Sequence, residues 1–178
     1  EDWRERFVVW DNSAGTLNLT RDYKFNELYC STLEQSDIDT ANQMGYNMEA
    51  TKFQFDFLND SDDKLPEGLR NAIESGKEIL FLINPPYATT CNFGDKNKPE
   101  IGNDTIINSI MKNDNMGRCS DSLYAQFLYK ILKYKELNKN LNITIFSPPL
   151  FLTGESFKNF RDVFFKDFNY KKGFLFEA

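Results

Sequence analysis

Asn84-Pro85-Pro86-Tyr87 sets a carboxamide, two rigid residues and an aromatic ring in direct succession. The four residues end a hydrophobic run, Ile79 to Ile83, with the length and composition of a strand buried on both faces. Neither proline has an N–H to give to a ladder, so the run stops and the amide is held at the strand's C-terminal end. In open α/β sheets that edge is where ligands bind. Polar groups recur at three other predicted strand ends: Asp11 through Gly15, Glu34 and Asp56. A glycine at the first strand–helix turn lets a ligand approach the backbone. An acidic residue ending the second strand can accept both hydroxyls of a ribose. One ending the third can accept from an exocyclic amine. Together the four ends suit a nucleoside-containing cofactor lying across the first strands. Each also has a plainer reading: a Pro-Pro turn at Asn84, an ordinary tight turn at Gly15, solvated carboxylates at Glu34 and Asp56, and a core ring at Phe57.

Composition removes several chemistries. The chain has no histidine, which excludes Ser-His-Asp and Cys-His catalysis. Cys30, Cys91 and Cys119 are odd in number and form no CxxC pair, which argues against a zinc site and a disulfide framework and for reduced, cytoplasmic thiols. No apolar run approaches the roughly 20 residues of a membrane helix. The start, Glu1-Asp2-Trp3-Arg4-Glu5-Arg6, is charged and unlike a signal peptide. The net charge of −6 lacks the footprint of a free-standing nucleic-acid binder. The pairs Lys96-Asn97-Lys98 and Lys171-Lys172 read as solvated surface.

Elements that could position the polar ends follow in alternation. Strands are expected at Phe7–Trp10, Glu27–Leu33, Ala50–Phe55, Ile79–Ile83, Asn142–Phe146 and Tyr170–Phe176. A helix is expected to begin at Leu17–Thr20, and another to run from Ser36 to about Gln43. A third has Pro66 at its first position and Gly76 past its end. Residues 88–104, rich in Asn, Lys and Gly, read as a mobile loop over the Asn84 corner. A short helix covers Thr105–Met111. Ser120 or Asp121 caps a long one with Leu123, Phe127, Ile131 and Tyr134 on one face, and Ser156–Phe165 is helical in period. Trp10 and Tyr29 read as core. With 178 residues and no visible linker, the pattern predicts a single α/β domain over 1–178. Its sheet is doubly wound and mostly parallel, with helices on both faces.

At this point the motifs resemble a known set. Asp11-Asn12-Ser13-Ala14-Gly15-Thr16-Leu17-Asn18-Leu19-Thr20 is similar to the first motif of S-adenosylmethionine-dependent N6-adenine DNA methyltransferases. Leu33-Glu34 resembles their second motif and Asp56-Phe57-Leu58 their third. Asn84-Pro85-Pro86-Tyr87 matches their catalytic motif in full, and the order holds along nearly the whole chain. The resemblance implies a Rossmann-like class I methyltransferase domain. It implies that S-adenosyl-L-methionine is held by Asp11, Ser13, Ala14, Gly15, Glu34, Asp56, Phe57 and Asn84. It further implies that Asn84 and the Pro85 carbonyl accept the hydrogens of a flipped adenine's amine, while Tyr87 stacks on the ring and Pro86 keeps the turn rigid. No metal is implied.

The chain departs from the pattern at two loop positions: Asn12 replaces the usual proline and Leu17 the second glycine, where a side chain would crowd the cofactor's methionine part. The expected protein is a restriction-modification-type catalytic domain, a fragment without its target-recognition domain, which a further segment or subunit would supply. The same corner would serve methyl transfer to RNA bases or protein glutamine amides. A degenerate, non-catalytic binding subunit is the third reading.

Overall fold

The computed structural model describes residues 2–87 and 105–175. Five strands, β1 (Val8–Asp11), β2 (Glu27–Thr32), β3 (Thr51–Gln54), β4 (Ile79–Ile83) and β5 (Leu141–Ile145), form one sheet in the order β3-β2-β1-β4-β5. Every pairing is parallel. Around it lie α1 (Trp3–Arg6), α2 (Gln35–Gln43), α3 (Glu67–Glu74), α4 (Ile106–Asn113), α5 (Leu123–Leu137), α6 (Leu150–Thr153) and α7 (Lys158–Asp167). This is the Rossmann-like α/β arrangement that the alternation predicts.

Side chains alternate across each strand, so the sheet feeds two cores. On one face Val8, Trp10, Tyr29, Ile79, Phe81 and Ile83 pack with residues of α3, α4, α5 and α7. On the other, Val9, Leu28, Cys30 and Leu80 pack with Ala41 of α2 and with Ala14 and Leu17 of the β1–β2 connection. Trp10 is fully buried, its ring centroid 5.1 Å from Phe81, 5.5 Å from Phe57 and 5.7 Å from Tyr134. Its indole N–H donates to Ser31 Oγ at 3.0 Å, tying β1 to β2 inside the core. The predicted face of α5 is buried, and so are Leu128, Tyr129 and Leu132 on its other sides, because α5 packs against α3, α4 and α7 together.

Four expectations change. No helix forms at Leu17–Thr20; residues 16–22 run through successive turns. Leu17 has φ +63°, a left-handed conformation that ends helical continuation where it occurs. Tyr170–Leu175 is irregular and exposed rather than a strand, with no ladder partner among the described residues, and a β-prone segment gains its stability only from a neighbour. The long helix is capped at Ser122, because Ser120 and Asp121 close a 3₁₀ turn over Gly117–Asp121. Pro66 immediately precedes α3 instead of opening it. The expected loop over 88–104, Cys91, Lys96-Asn97-Lys98 and Phe176 lie outside the described residues.

Candidate active site

The strand order reverses between β1 and β4: the chain leaves β1 toward β2 and leaves β4 toward β5. At such a switch point the two connections diverge and open a crevice beyond the C-terminal strand ends. Asp11 is the last residue of β1, and Asn84 is the first after β4. The backbone N–H of Asn84 donates to Ser13 Oγ at 3.2 Å, which ties the end of β4 to the turn after β1. Ser13 N–H in turn donates to Asp11 Oδ1 at 3.3 Å, and Ala14 N–H to the Ser31 carbonyl at 3.0 Å, pinning the turn to β2. Gly15, at φ +48°, has the left-handed backbone that glycine adopts at little cost.

The Asn84 corner has a buried base and an open top. Pro85 is buried while Asn84 and Pro86 are exposed. Tyr87 is 48% exposed, and its hydroxyl donates to Asn84 Oδ1. The tyrosine hydroxyl thus occupies the oxygen of the exposed carboxamide.

Beneath the corner the polarity is unusual. Asp11 is 1% exposed, and burial pushes its carboxyl up to about 7, the Ser13 N–H offsetting only part. Its Oδ2 has no hydrogen-bond partner among the described residues. Asn12 is 2% exposed and neither Oδ1 nor Nδ2 is partnered there. Buried polar atoms are nearly always satisfied, so three unpartnered atoms in two successive residues set this turn apart. In the sequence Asn12 stands out only as a residue in place of the usual proline; the burial of its amide follows from the placement of β1.

The remaining predicted residues lie along the same edge in the order Asp56, Glu34, Asp11, Asn84, following β3, β2, β1 and β4. Glu34 is exposed at the start of α2 and makes no side-chain capping bond. Asp56 holds its own turn: Oδ1 accepts from the N–H groups of Leu58 (3.0 Å) and Asn59 (3.2 Å), and Oδ2 from Asn59 Nδ2 (2.8 Å). Phe57 is buried and stacked on Phe127, centroids 5.0 Å apart, so its ring belongs to the core and presents no open face to a ligand. Leu17, 1% exposed, turns its side chain into the second core beside Val9, Leu28 and Leu80. The backbone at Leu17 keeps a left-handed turn while the leucine side chain fills the layer below.

One supporting residue has no sequence signal. Lys130 of α5 donates Nζ to the Asp60 carbonyl at 3.1 Å and lies 5.0 Å and 5.1 Å from the ring centroids of Phe55 and Phe57. Burial lowers its pKa. It braces the Asp56 turn from below, a role that a lone lysine in an amphipathic helix does not announce. Among the described residues no group of three or more Cys, Asp or Glu side chains could hold a metal ion, and no helix is long and apolar enough to cross a membrane. Compared with known proteins, the chain matches no family model and no curated protein.

Proposed function

We propose that this chain transfers a methyl group from S-adenosyl-L-methionine to the exocyclic N6 amine of adenine in DNA. One observation carries the reading. At the switch point Asn84, whose carboxamide is exposed, is tied through its backbone N–H to Ser13 of a turn whose Asp11 and Asn12 are buried with polar atoms unpartnered. The turn from Asp11 to Gly15 would hold the cofactor's methionine part, Glu34 its ribose and Asp56 its adenine. Bound there, the cofactor supplies an electrophilic methyl sulfonium, whose carbon–sulfur bond breaks as the carbon–nitrogen bond to the amine forms.

The protein's part is to prepare the amine. Its lone pair is delocalised into the purine ring, which makes it a poor nucleophile. Asn84 Oδ1 and the Pro85 carbonyl accept its two hydrogens and draw the lone pair toward the methyl carbon. Pro85 and Pro86 fix both acceptors, so positioning supplies much of the rate. Water takes the surplus proton from the methylated nitrogen. The base must leave the duplex to reach the corner, and the Tyr87 hydroxyl must leave Asn84 Oδ1 as its ring stacks on the base. A basic target-recognition domain or subunit would supply the phosphate contacts that a chain of net charge −6 lacks.

That charge favours a second reading, in which the same corner activates the planar nitrogen of a protein glutamine; the same chemistry would also serve an RNA base. Tritiated S-adenosylmethionine with unmethylated DNA separates the two. Label recovered in N6-methyladenine is expected, and lost on Asn84→Ala with cofactor binding retained by calorimetry. Label in RNA or protein alone establishes the second reading, and absence of cofactor binding refutes both.

A further inference from the structure

Asn59 stands three residues past Asp56 and is exposed, yet both ends of its amide are engaged. Its Oδ1 accepts from the backbone N–H of Ile106, the first residue of α4, at 3.0 Å. A backbone N–H can only donate, so the oxygen must face α4 and the nitrogen must face Asp56. Nδ2 then donates to Asp56 Oδ2 at 2.8 Å. The α4 end of this bridge is itself anchored: the buried Thr105 hydroxyl accepts from Asn108 N–H at 2.9 Å and donates to Gln126 Oε1 of α5 at 2.7 Å. The turn closes without the bridge. The N–H groups of Leu58 and Asn59 already hold Asp56 Oδ1, Asp60 Oδ2 accepts from Asp56 N–H at 2.8 Å, and Asp60 N–H reaches the Asp56 carbonyl at 2.8 Å. What the bridge adds falls on the carboxylate. A carboxylate has about four acceptor sites. Two are used on Oδ1 and one on Oδ2, which leaves room on Oδ2 for one more donor.

We propose that Asn59 is a positioning residue that fixes Asp56 as an acceptor for a single further donor, and so sets selectivity for a 6-amino purine at this end of the site. This role rests on the cofactor reading above, in which Asp56 holds the donor's adenine, and adds the residue that gives that carboxylate its direction. With Oδ1 doubly occupied and Oδ2 held from one side, the carboxylate cannot turn its remaining lone pair elsewhere. A directed charged acceptor rewards an N–H in that one place and gives nothing to a C–H. Without the Asn59 amide, Oδ2 takes water on that side and the carboxylate pivots about its Oδ1 bonds. The exocyclic amine then loses a placed partner, while the rest of the nucleoside keeps its contacts.

Isothermal calorimetry with S-adenosylhomocysteine and its 6-deamino counterpart, in which hydrogen replaces the amino group, tests this. The unaltered chain should prefer S-adenosylhomocysteine at least about tenfold, as expected for a bond to a charged group. Asn59→Ala should shrink that preference to about threefold or less, with binding of the deamino probe changed less than about twofold and the unfolding midpoint moved by less than about 3 °C. Asn59→Asp gives a readout that a merely structural role would not move. It keeps the size and the oxygen toward Ile106 but sets a carboxylate against Asp56, and two carboxylates so close share a proton rather than both ionise. The preference, lost at about pH 8, should return toward the unaltered value at about pH 5, where the shared proton stands in for the amide N–H. Asp60 is the neighbouring acid, and Lys64 and Lys130 are the cations that act on Asp56; all three are present in each protein, so comparison at equal pH cancels them. A preference absent from the unaltered chain, equal losses for both probes in Asn59→Ala, an undiminished preference there, or an Asn59→Asp preference flat with pH each overturn the role of Asn59 and leave the cofactor reading standing. If the unaltered chain binds neither probe, the cofactor reading itself fails and takes this role with it.

Discussion

Asp11→Asn isolates the cost of the buried carboxylate at the heart of the site. The substitution keeps the shape and the Oδ1 that accepts from Ser13 N–H, replaces the unpartnered Oδ2 by an amide nitrogen and removes the capacity to ionise. In the unfolded chain the carboxyl ionises near 3.8; in the fold, burial holds it up to about 7. Between those values the unfolded chain has lost the proton that the folded chain keeps, so folding loses stability as pH rises. The contribution is intact below about pH 4 and is lost above about pH 7. At about 1.4 kcal/mol per tenfold change, the full difference is about 4 kcal/mol, and structural relaxation or water penetration brings it nearer 2. Cys30, paired in register with Asp11, does not confuse the titration: its thiol is pushed up to about 12, first by burial and then by the carboxylate, and stays neutral throughout. Urea unfolding of both proteins at about pH 4, 6 and 8 reads the effect as a difference, which cancels other carboxylates. Asp11→Asn should match the unaltered chain at the lowest pH and exceed it by about 2–4 kcal/mol at the highest, while losing cofactor affinity. A difference that is flat with pH, or that favours the unaltered chain above pH 7, would refute the account of Asp11 as a strained, ligand-seeking carboxylate.

Leu17→Gly should destabilise the fold by about 2 kcal/mol in urea unfolding. Losing a fully buried leucine costs about 3–4 kcal/mol, and relief of its left-handed φ returns only about 1–2. A gain in stability would show that strain outweighs packing there. Tyr87→Phe retains the stacking ring and frees Asn84 Oδ1, so kcat/KM on DNA should hold or rise up to about fivefold, the value of one ordinary hydrogen bond; a loss beyond about tenfold would mean the hydroxyl serves the reaction. Lys130→Met replaces a buried charge with an isostere of similar reach, and the unfolding free energy from denaturant titration should move by less than about 1 kcal/mol. Lys130→Ala, which opens a cavity under Phe55 and Phe57, should cost about 2–3 kcal/mol in the same assay.

These variants divide along the line between what the sequence made legible and what it did not. The strand cores were legible because Val8-Val9-Trp10 and Ile79 to Ile83 are apolar on both faces, a pattern that only a covered parallel strand explains. The position of Asn84 followed from the prolines behind it, which stop a ladder wherever they occur. The β1 turn was less legible, since a leucine at φ +63° has no signature in one dimension and local propensity favoured a helix. Tyr170–Leu175 misled for the complementary reason: strand propensity measures fit to a neighbour, and the neighbour is not encoded in the segment itself. Phe57 shows the limit most clearly. Its place after Asp56 suited a ligand face and a core ring equally, and only the approach of Phe127 from a helix 70 residues later decides for the core.

Burial of Asp11 and Asn12 belongs to the same class, with a functional edge. A carboxylate at a strand end is ordinary when solvated, and an asparagine beside it reads as a turn residue. What makes them candidates for binding is that the fold closes over both without giving either a full set of partners. That condition arises from elements far apart in the chain: β2 and α2 cover the turn from one side, and the Asn84 strand end abuts it through Ser13. The Asn84 corner is thus written locally, in four consecutive residues, while the buried polarity beneath it is written in the packing around two.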